Sequence, residues 1–188
     1  MIDSDFIPTR AKYFLDLLLK YVDPNVPKPS DNPITILSIG CGYSGETYAF
    51  LSYYGDVPLG ENNPNVKLYG VDINSDNIAT CKEKYQISNC NFIDSDASKL
   101  LPNKMFDVVA FIHPQPSYWS DLGVIVDNAF SCLKPNGTAM VVTLFEDEIN
   151  YFRNLMGELD IVYEDGVDIP NNNGLVYSYL LLAKKVMP

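Results

Sequence analysis

The stretch ILSIGCGYSGET, Ile36–Thr47, runs from an apolar segment into a glycine-rich turn and then into the start of a helix. Ile34, Ile36, Leu37 and Ile39 read as a buried parallel strand. Gly40, Gly42 and Gly45 supply the G-x-G-x-x-G spacing that lets a ligand approach bare backbone at a helix N-terminus. A glycine triplet also makes ordinary turns, so the neighbouring sequence decides. The next apolar run, LYGVDI at Leu68–Ile73, ends in the acid Asp72, as a nucleotide-binding α/β unit requires. The interval from Gly45 to Asp72 is 27 residues, against roughly 20 in a dinucleotide-binding unit. That spacing argues mildly against NAD.

Outward from this segment the chain alternates. Pro8–Val22 puts Ala11, Phe14, Leu15, Leu18, Leu19 and Val22 at helical spacing, with Pro8 in the first turn. This helix either lies over the ligand as a lid or packs on the sheet. Asp23–Pro33 holds four prolines and reads as a linker. A helix over Tyr48–Tyr54 ends near Gly55, and Asp56–Asn65 is a turn-rich loop. Helices over Asp76–Tyr85, Ala97–Leu101 and Leu122–Leu133 then alternate with strands over Asn91–Ile93, Phe106–Ile112 and Thr138–Leu144. Helix Glu146–Met156 leads to strands over Asp160–Tyr163 and Leu175–Lys185 around the turn DIPNNNG. Such alternation predicts an α/β, doubly wound, mostly parallel sheet with helices on both faces.

Five segments in order resemble the class I S-adenosylmethionine (SAM)-dependent methyltransferases. They are IGCG, GVDI, DSDAS, FDVVAFIHP and LKPNGTAMVV, spread over Pro33–Thr143, with Leu133–Gly137 the most distinctive. The resemblance implies a Rossmann-like, seven-stranded sheet with one antiparallel strand in the closing pair. It implies one SAM-binding domain over 1–188, an N-terminal helix and linker (1–32) preceding the core (33–188). SAM is the implied cofactor and S-adenosylhomocysteine the product. By the same resemblance Gly40, Gly42 and Gly45 lie along the methionine part, Asp72 binds the ribose hydroxyls and Asp96 reads the adenine amino group, with Cys41, Glu46, Ile73 and Ala97 also in the cofactor site.

The chain departs from the family at three places. Ser38 stands where an acid is usual, and the loop is one residue longer than the commonest form. Glu46 offers a carboxylate that either reaches the cofactor's amino group or serves the helix dipole. HPQPSYW, His113–Trp119, replaces the Asn/Asp-Pro-Pro-aromatic motif of amino-directed enzymes. There Tyr118 and Trp119 form a substrate wall or pack on the sheet. The first motif is also similar to that of the chemotaxis-receptor glutamate methyltransferases, without the Arg-Asn that follows strand four there.

Methyl transfer from a sulfonium needs alignment more than a catalytic group. His113 is the lone histidine and falls just past the fourth strand, where ligands bind in open parallel sheets. It is the candidate general base, expected to titrate near ~6.5, or a backbone contact only.

Composition narrows the acceptor. Thirteen Lys and Arg against 24 Asp and Glu give a net charge of −11, which disfavours nucleic acid. The acidity confers solubility or steers a cationic partner. The four cysteines form no CxxC pair, so no metal site is expected. No stretch approaches the roughly twenty apolar residues of a membrane span, and the expected location is the cytoplasm. The leading expectation is a SAM-dependent methyltransferase acting on a small-molecule or protein acceptor, its oligomeric state unspecified. The alternatives are a non-catalytic scaffold of the same fold and an NAD-dependent oxidoreductase.

Overall fold

A computed structural model describes residues 6–99, 105–114, 119, 121–157, 159–171 and 174–185. Seven strands form one sheet in the order β3-β2-β1-β4-β5-β7-β6. They are β1 (Ile34–Ile39), β2 (Val66–Asp72), β3 (Cys90–Asp94), β4 (Phe106–Ile112), β5 (Leu133–Thr143), β6 (Leu159–Asn171) and β7 (Gly174–Lys185). β1 to β5 pair in parallel, whereas β7 runs antiparallel to both β5 and β6. The helices are α1 (Phe6–Leu17), α2 (Thr47–Gly55), α3 (Ser75–Lys84), α4 (Leu122–Ser131) and α5 (Glu146–Leu155).

Strand periodicity sorts the interior into two layers. Ile36, Leu68, Val108, Met140 and Leu182 face α1, α2 and α3, while Leu37, Val109, Val141 and Leu181 face α4 and α5. The period of two sends successive residues to opposite faces, so strands covered on both faces read as unbroken apolar runs. All seven residues of β4 are buried for this reason. Helix α1 is held by Phe14, whose ring meets Phe50 of α2 edge-on at 5.3 Å.

Several boundaries differ from the sequence expectation. α1 ends at Leu17 and its last turn, Leu18–Val22, widens to a π-turn. Helix α4 stops at Ser131, and β5 begins at Leu133 rather than Thr138. The LKPNG segment is an irregular first part of β5, pairing at Leu133 with Phe106 before the register shifts. β6 runs to Asn171, well beyond Tyr163, because the DIPNNNG segment continues the hairpin with Pro170 opposite Leu175. A proline is tolerated there because β6 is an edge strand. Leu101, the expected end of the helix at Ala97, lies outside the described residues, and the turn there is 3-10 over Ala97–Lys99.

Candidate functional site

The chain passes from β1 outward to β2 and β3, then returns to place β4 on the other side of β1. This reversal leaves a crevice at the carboxyl ends of the strands, where open α/β sheets bind ligands. Gly40 follows β1, Asp72 ends β2, Asp96 follows β3 and His113 follows β4, so the four stand in a row along one edge. All four line one cavity of about 330 Å³, together with Ile73, Ala97, Ser98, Pro114, Trp119 and Ile125.

The glycine loop is built from left-handed backbone. Gly40 has φ +62° and Gly42 φ +52°, conformations that an L side chain rarely adopts. A side chain on Gly42 would meet nothing within 4 Å, so the backbone there is open. A Cβ on Gly40 would lie 2.7 Å from the Trp119 ring. The loop is fixed from below: the Tyr85 hydroxyl donates to the Ser44 carbonyl at 2.7 Å and the Cys81 thiol to the Gly42 carbonyl at 3.3 Å.

Asp72 receives two backbone donors, Gly42 N–H on Oδ2 at 2.7 Å and Asn74 N–H on Oδ1 at 2.8 Å. Asp96 Oδ1 accepts from the Ser98 amide at 2.9 Å and the Ser98 hydroxyl at 2.7 Å. These bonds, with Lys99 at 3.1 Å, hold its carboxyl below the usual range. Ile73 is 73% exposed, an apolar surface beside Asp72 at the cavity wall.

His113 also adopts left-handed backbone, φ +49°, and its N–H donates to the Val142 carbonyl at 2.7 Å. Its Nδ1 is buried and finds no hydrogen-bond partner among the described residues. Burial, with the charge of Arg10 adding to it, lowers its pKa to about 4. The ring is therefore neutral at pH 6.5, where an ordinary imidazole is half protonated.

Cys41, Gly42, Gly45 and Glu46 stand beside the cavity without forming its wall. Glu46 is buried at the start of α2 and accepts from the Ser38 hydroxyl at 3.2 Å. Desolvation raises its pKa, and Arg10 counteracts that. Ser38 thus donates to the carboxylate that Glu46 brings from the other side of the loop. Trp119 packs on Phe111, ring centroids 6.1 Å apart, and also lines the cavity. Tyr118 lies outside the described residues. Arg10, Ser98 and Ile125 were not marked by the sequence. Ser98 is recognisable afterwards as the partner of an Asp two residues earlier, a local turn pattern, whereas Arg10 comes from α1 and has no local signal.

Among the described residues, no three His, Cys, Asp or Glu side chains are grouped to hold a metal, and no helix is long and apolar enough to cross a membrane. A dinucleotide-binding sheet has the order 3-2-1-4-5-6 and is mostly parallel. The antiparallel β7 inserted between β5 and β6 sets this fold apart from it.

This architecture defines a class I methyltransferase fold. Residues 30–164 match the methyltransferase domain family, and the chain belongs to that family. A fatty-acid O-methyltransferase of Mycolicibacterium smegmatis is 28% identical over 103 residues, 54% of this chain and 34% of the relative. The chain thus spans about a third of that relative's length. Two solved structures share the fold: the YcgJ protein of Bacillus subtilis, with TM-score 0.66, 15% identity, and 94% of this chain and 100% of that one covered; and the N-methyltransferase NodS of Bradyrhizobium japonicum, with TM-score 0.65, 16% identity and 100% of both chains covered.

Proposed function

We propose that the protein is a SAM-dependent methyltransferase and that the cavity at the carboxyl edge of the sheet is its cofactor site. The observation that carries this reading is the row Asp96, Asp72, Gly40 and His113 along one cavity wall. The residues fit the cofactor: the loop backbone at Gly42 is open, and a buried ring nitrogen of His113 lacks a partner among the described residues. Bound SAM supplies an electrophilic methyl group on sulfonium.

The chain's own residues do the rest. Each Asp72 oxygen takes one backbone N–H and retains a lone pair for a ribose hydroxyl. Asp96, kept ionised by Ser98, offers an acceptor to the adenine amino group. Ile73 and Ala97 provide the apolar face beside it. Gly40 presents backbone to the amino-acid part at the cavity wall, while Cys41, Gly42 and Gly45 shape the loop beside it, with the Glu46 carboxylate behind them. Proximity of donor and acceptor in such a cleft supplies several kcal/mol, on the order of 7 or more in favourable cases. His113, its pKa lowered by burial to about 4, is neutral at physiological pH and offers a ring nitrogen to the reacting end.

The acceptor belongs to the small molecules or protein side chains, since a net charge of −11 opposes nucleic acid. Residues 1–188 act as one domain, with α1 docked on α2 through Phe14 and Phe50. The protein works in the cytoplasm, where Cys41 and Cys81 beside the loop stay reduced.

The test is a thermal-shift comparison. S-adenosylhomocysteine binds the native state and raises the melting temperature, whereas NAD leaves it unchanged. A shift with NAD alone refutes the reading. A shift with S-adenosylhomocysteine, but no methyl transfer to any of a broad acceptor panel, favours the scaffold alternative.

A further inference from the structure

The row Asp96, Asp72, Gly40 and His113 follows the strand order β3, β2, β1, β4, and the next strands in the sheet are β5 and β7. The His113 amide donates to the Val142 carbonyl at 2.7 Å, so β5 ends level with the last member of the row. Directly after β5 stand Leu144 and Phe145, 38% and 64% exposed. Single exposed apolar residues are common on protein surfaces, but this pair is pinned. Glu148 Oε2 accepts the Leu144 amide at 3.2 Å and the Phe145 amide at 3.3 Å, and the Thr143 hydroxyl donates to the Phe145 carbonyl at 3.1 Å. Hydrogen bonds thus fix the backbone that presents two apolar side chains at the ligand edge.

The β6–β7 hairpin extends this edge. β5 and β7 part after Thr143 and Tyr179, whereas β6 and β7 stay paired from Val167 and Ser178 out to Asn171 and Gly174. At about 3.4 Å per residue the hairpin overhangs the carboxyl end of β5 by roughly 17 Å. The charge here is one-sided. Segments 135–152 and 166–179 contain no lysine or arginine. Helix α5 begins at this point, and the positive end of its dipole would draw an anion, but its first turn carries Glu146, Asp147 and Glu148.

Resting on the cofactor reading above, adenosine occupies the Asp96 and Asp72 part of the row and the reacting end falls toward His113, which puts the methyl acceptor on the β5 side. There the buried His113 Nδ1 has no partner among the described residues, which leaves a hydrogen bond for an uncharged nucleophile. We propose that the acceptor is an apolar small molecule with an uncharged hydroxyl or amine and no anionic group, its apolar body lying against Leu144 and Phe145 beside the overhanging hairpin. A second copy of the chain covering the same pair is the competing occupant.

Two probes of one shape test this. The full chain, saturated with S-adenosylhomocysteine, is titrated calorimetrically with naphthol and with naphthoate, the same ring system carrying a hydroxyl or a carboxylate. Naphthol is expected to bind at least tenfold more tightly. Phe145→Ser removes the ring at a helix N-cap, where serine is a favoured residue, so the variant keeps its fold. It is expected to weaken naphthol binding at least fivefold and to leave S-adenosylhomocysteine affinity within twofold, with Phe145→Leu between it and the wild type. Naphthoate binding as tightly as naphthol, no binding of naphthol, or naphthol affinity unchanged in Phe145→Ser overturns the proposal. A wild-type dimer in sedimentation that Phe145→Ser dissociates assigns the pair to a second copy and overturns it too. If S-adenosylhomocysteine itself fails to bind, the cofactor reading falls and the proposal with it. If it binds and naphthol does not, only the acceptor surface falls.

Discussion

The carboxylate of Asp72, at the end of β2, accepts the backbone N–H of Gly42 in the loop after β1 at 2.7 Å. The residue offered to a ribose therefore also sets the shape of the loop beside it. Asn74 N–H occupies the other oxygen at 2.8 Å, so Asp72 ties three chain segments at one point. A side chain with two such duties cannot be removed without disturbing both.

Asp72→Ala is accordingly expected to lower stability and affinity together. Losing the carboxylate leaves two amides without their acceptor, a cost of about 1 to 3 kcal/mol. Loss of the ribose contacts should add a fall in S-adenosylhomocysteine affinity of tenfold or more, because charge-assisted bonds are worth about 1.5 to 3 kcal/mol each. Denaturant unfolding and calorimetry on the same variant measure the two effects. Unchanged affinity after a correct fold would remove Asp72 from the cofactor site.

Gly40 and Gly42 give a matched pair. Both have positive φ, but only Gly40 has the Trp119 ring 2.7 Å from a built Cβ. Gly42→Ala should cost about 1 to 2 kcal/mol from backbone conformation. Gly40→Ala should cost more, by the ~1 to 3 kcal/mol of overpacking, and should shift the emission of the single tryptophan. Equal stabilities and unchanged fluorescence would show that Trp119 does not rest on the loop.

The His113 pKa makes a signed prediction about pH. Its folded value, about 4, lies below the ordinary 6.5, so the unfolded chain takes up a proton first as pH falls. The stability this group contributes is present in full above pH 6.5 and is lost between about 6.5 and about 4, roughly 3 kcal/mol in total. Glu46, raised by burial, pulls the opposite way at the acid end. The quantity to measure is therefore the wild-type stability minus that of His113→Asn at each pH, which cancels Glu46. Asn also tolerates the left-handed backbone at this position. That difference should fall with acidification across the window; a flat difference contradicts a buried neutral imidazole. Turnover, where it depends on His113, should show no inflection near 6.5.

The sequence carried the alternating architecture and the cavity row because both depend on local pattern. Apolar runs mark strands buried on both faces, and Gly40, Asp72, Asp96 and His113 each follow or end a strand. What stayed hidden was set by tertiary packing. Arg10 reaches the loop from α1, which docks on α2, and Glu46 is buried against the Ser38 hydroxyl. The long β6 was obscured by DIPNNNG, whose Pro170 is compatible with an edge strand but not with an interior one.

The LKPNG segment, the most distinctive part of the resemblance, lies away from the cavity and yields the last prediction. Lys134 Nζ contacts Asp107 at 2.9 Å and Asp31 at 2.8 Å. Asp107 is buried at the start of β4, and its Oδ2 also accepts the Thr35 amide at 2.7 Å and hydroxyl at 2.8 Å at the start of β1. One lysine thus neutralises a buried carboxylate that joins the amino ends of β1, β4 and β5, the opposite edge from the ligand row. Lys134→Met leaves Asp107 buried without its cation and should cost about 3 kcal/mol of stability. S-adenosylhomocysteine affinity, measured where the variant is fully folded, should stay within twofold of wild type. A large loss of affinity with little loss of stability would show instead that this segment serves the site and not the sheet.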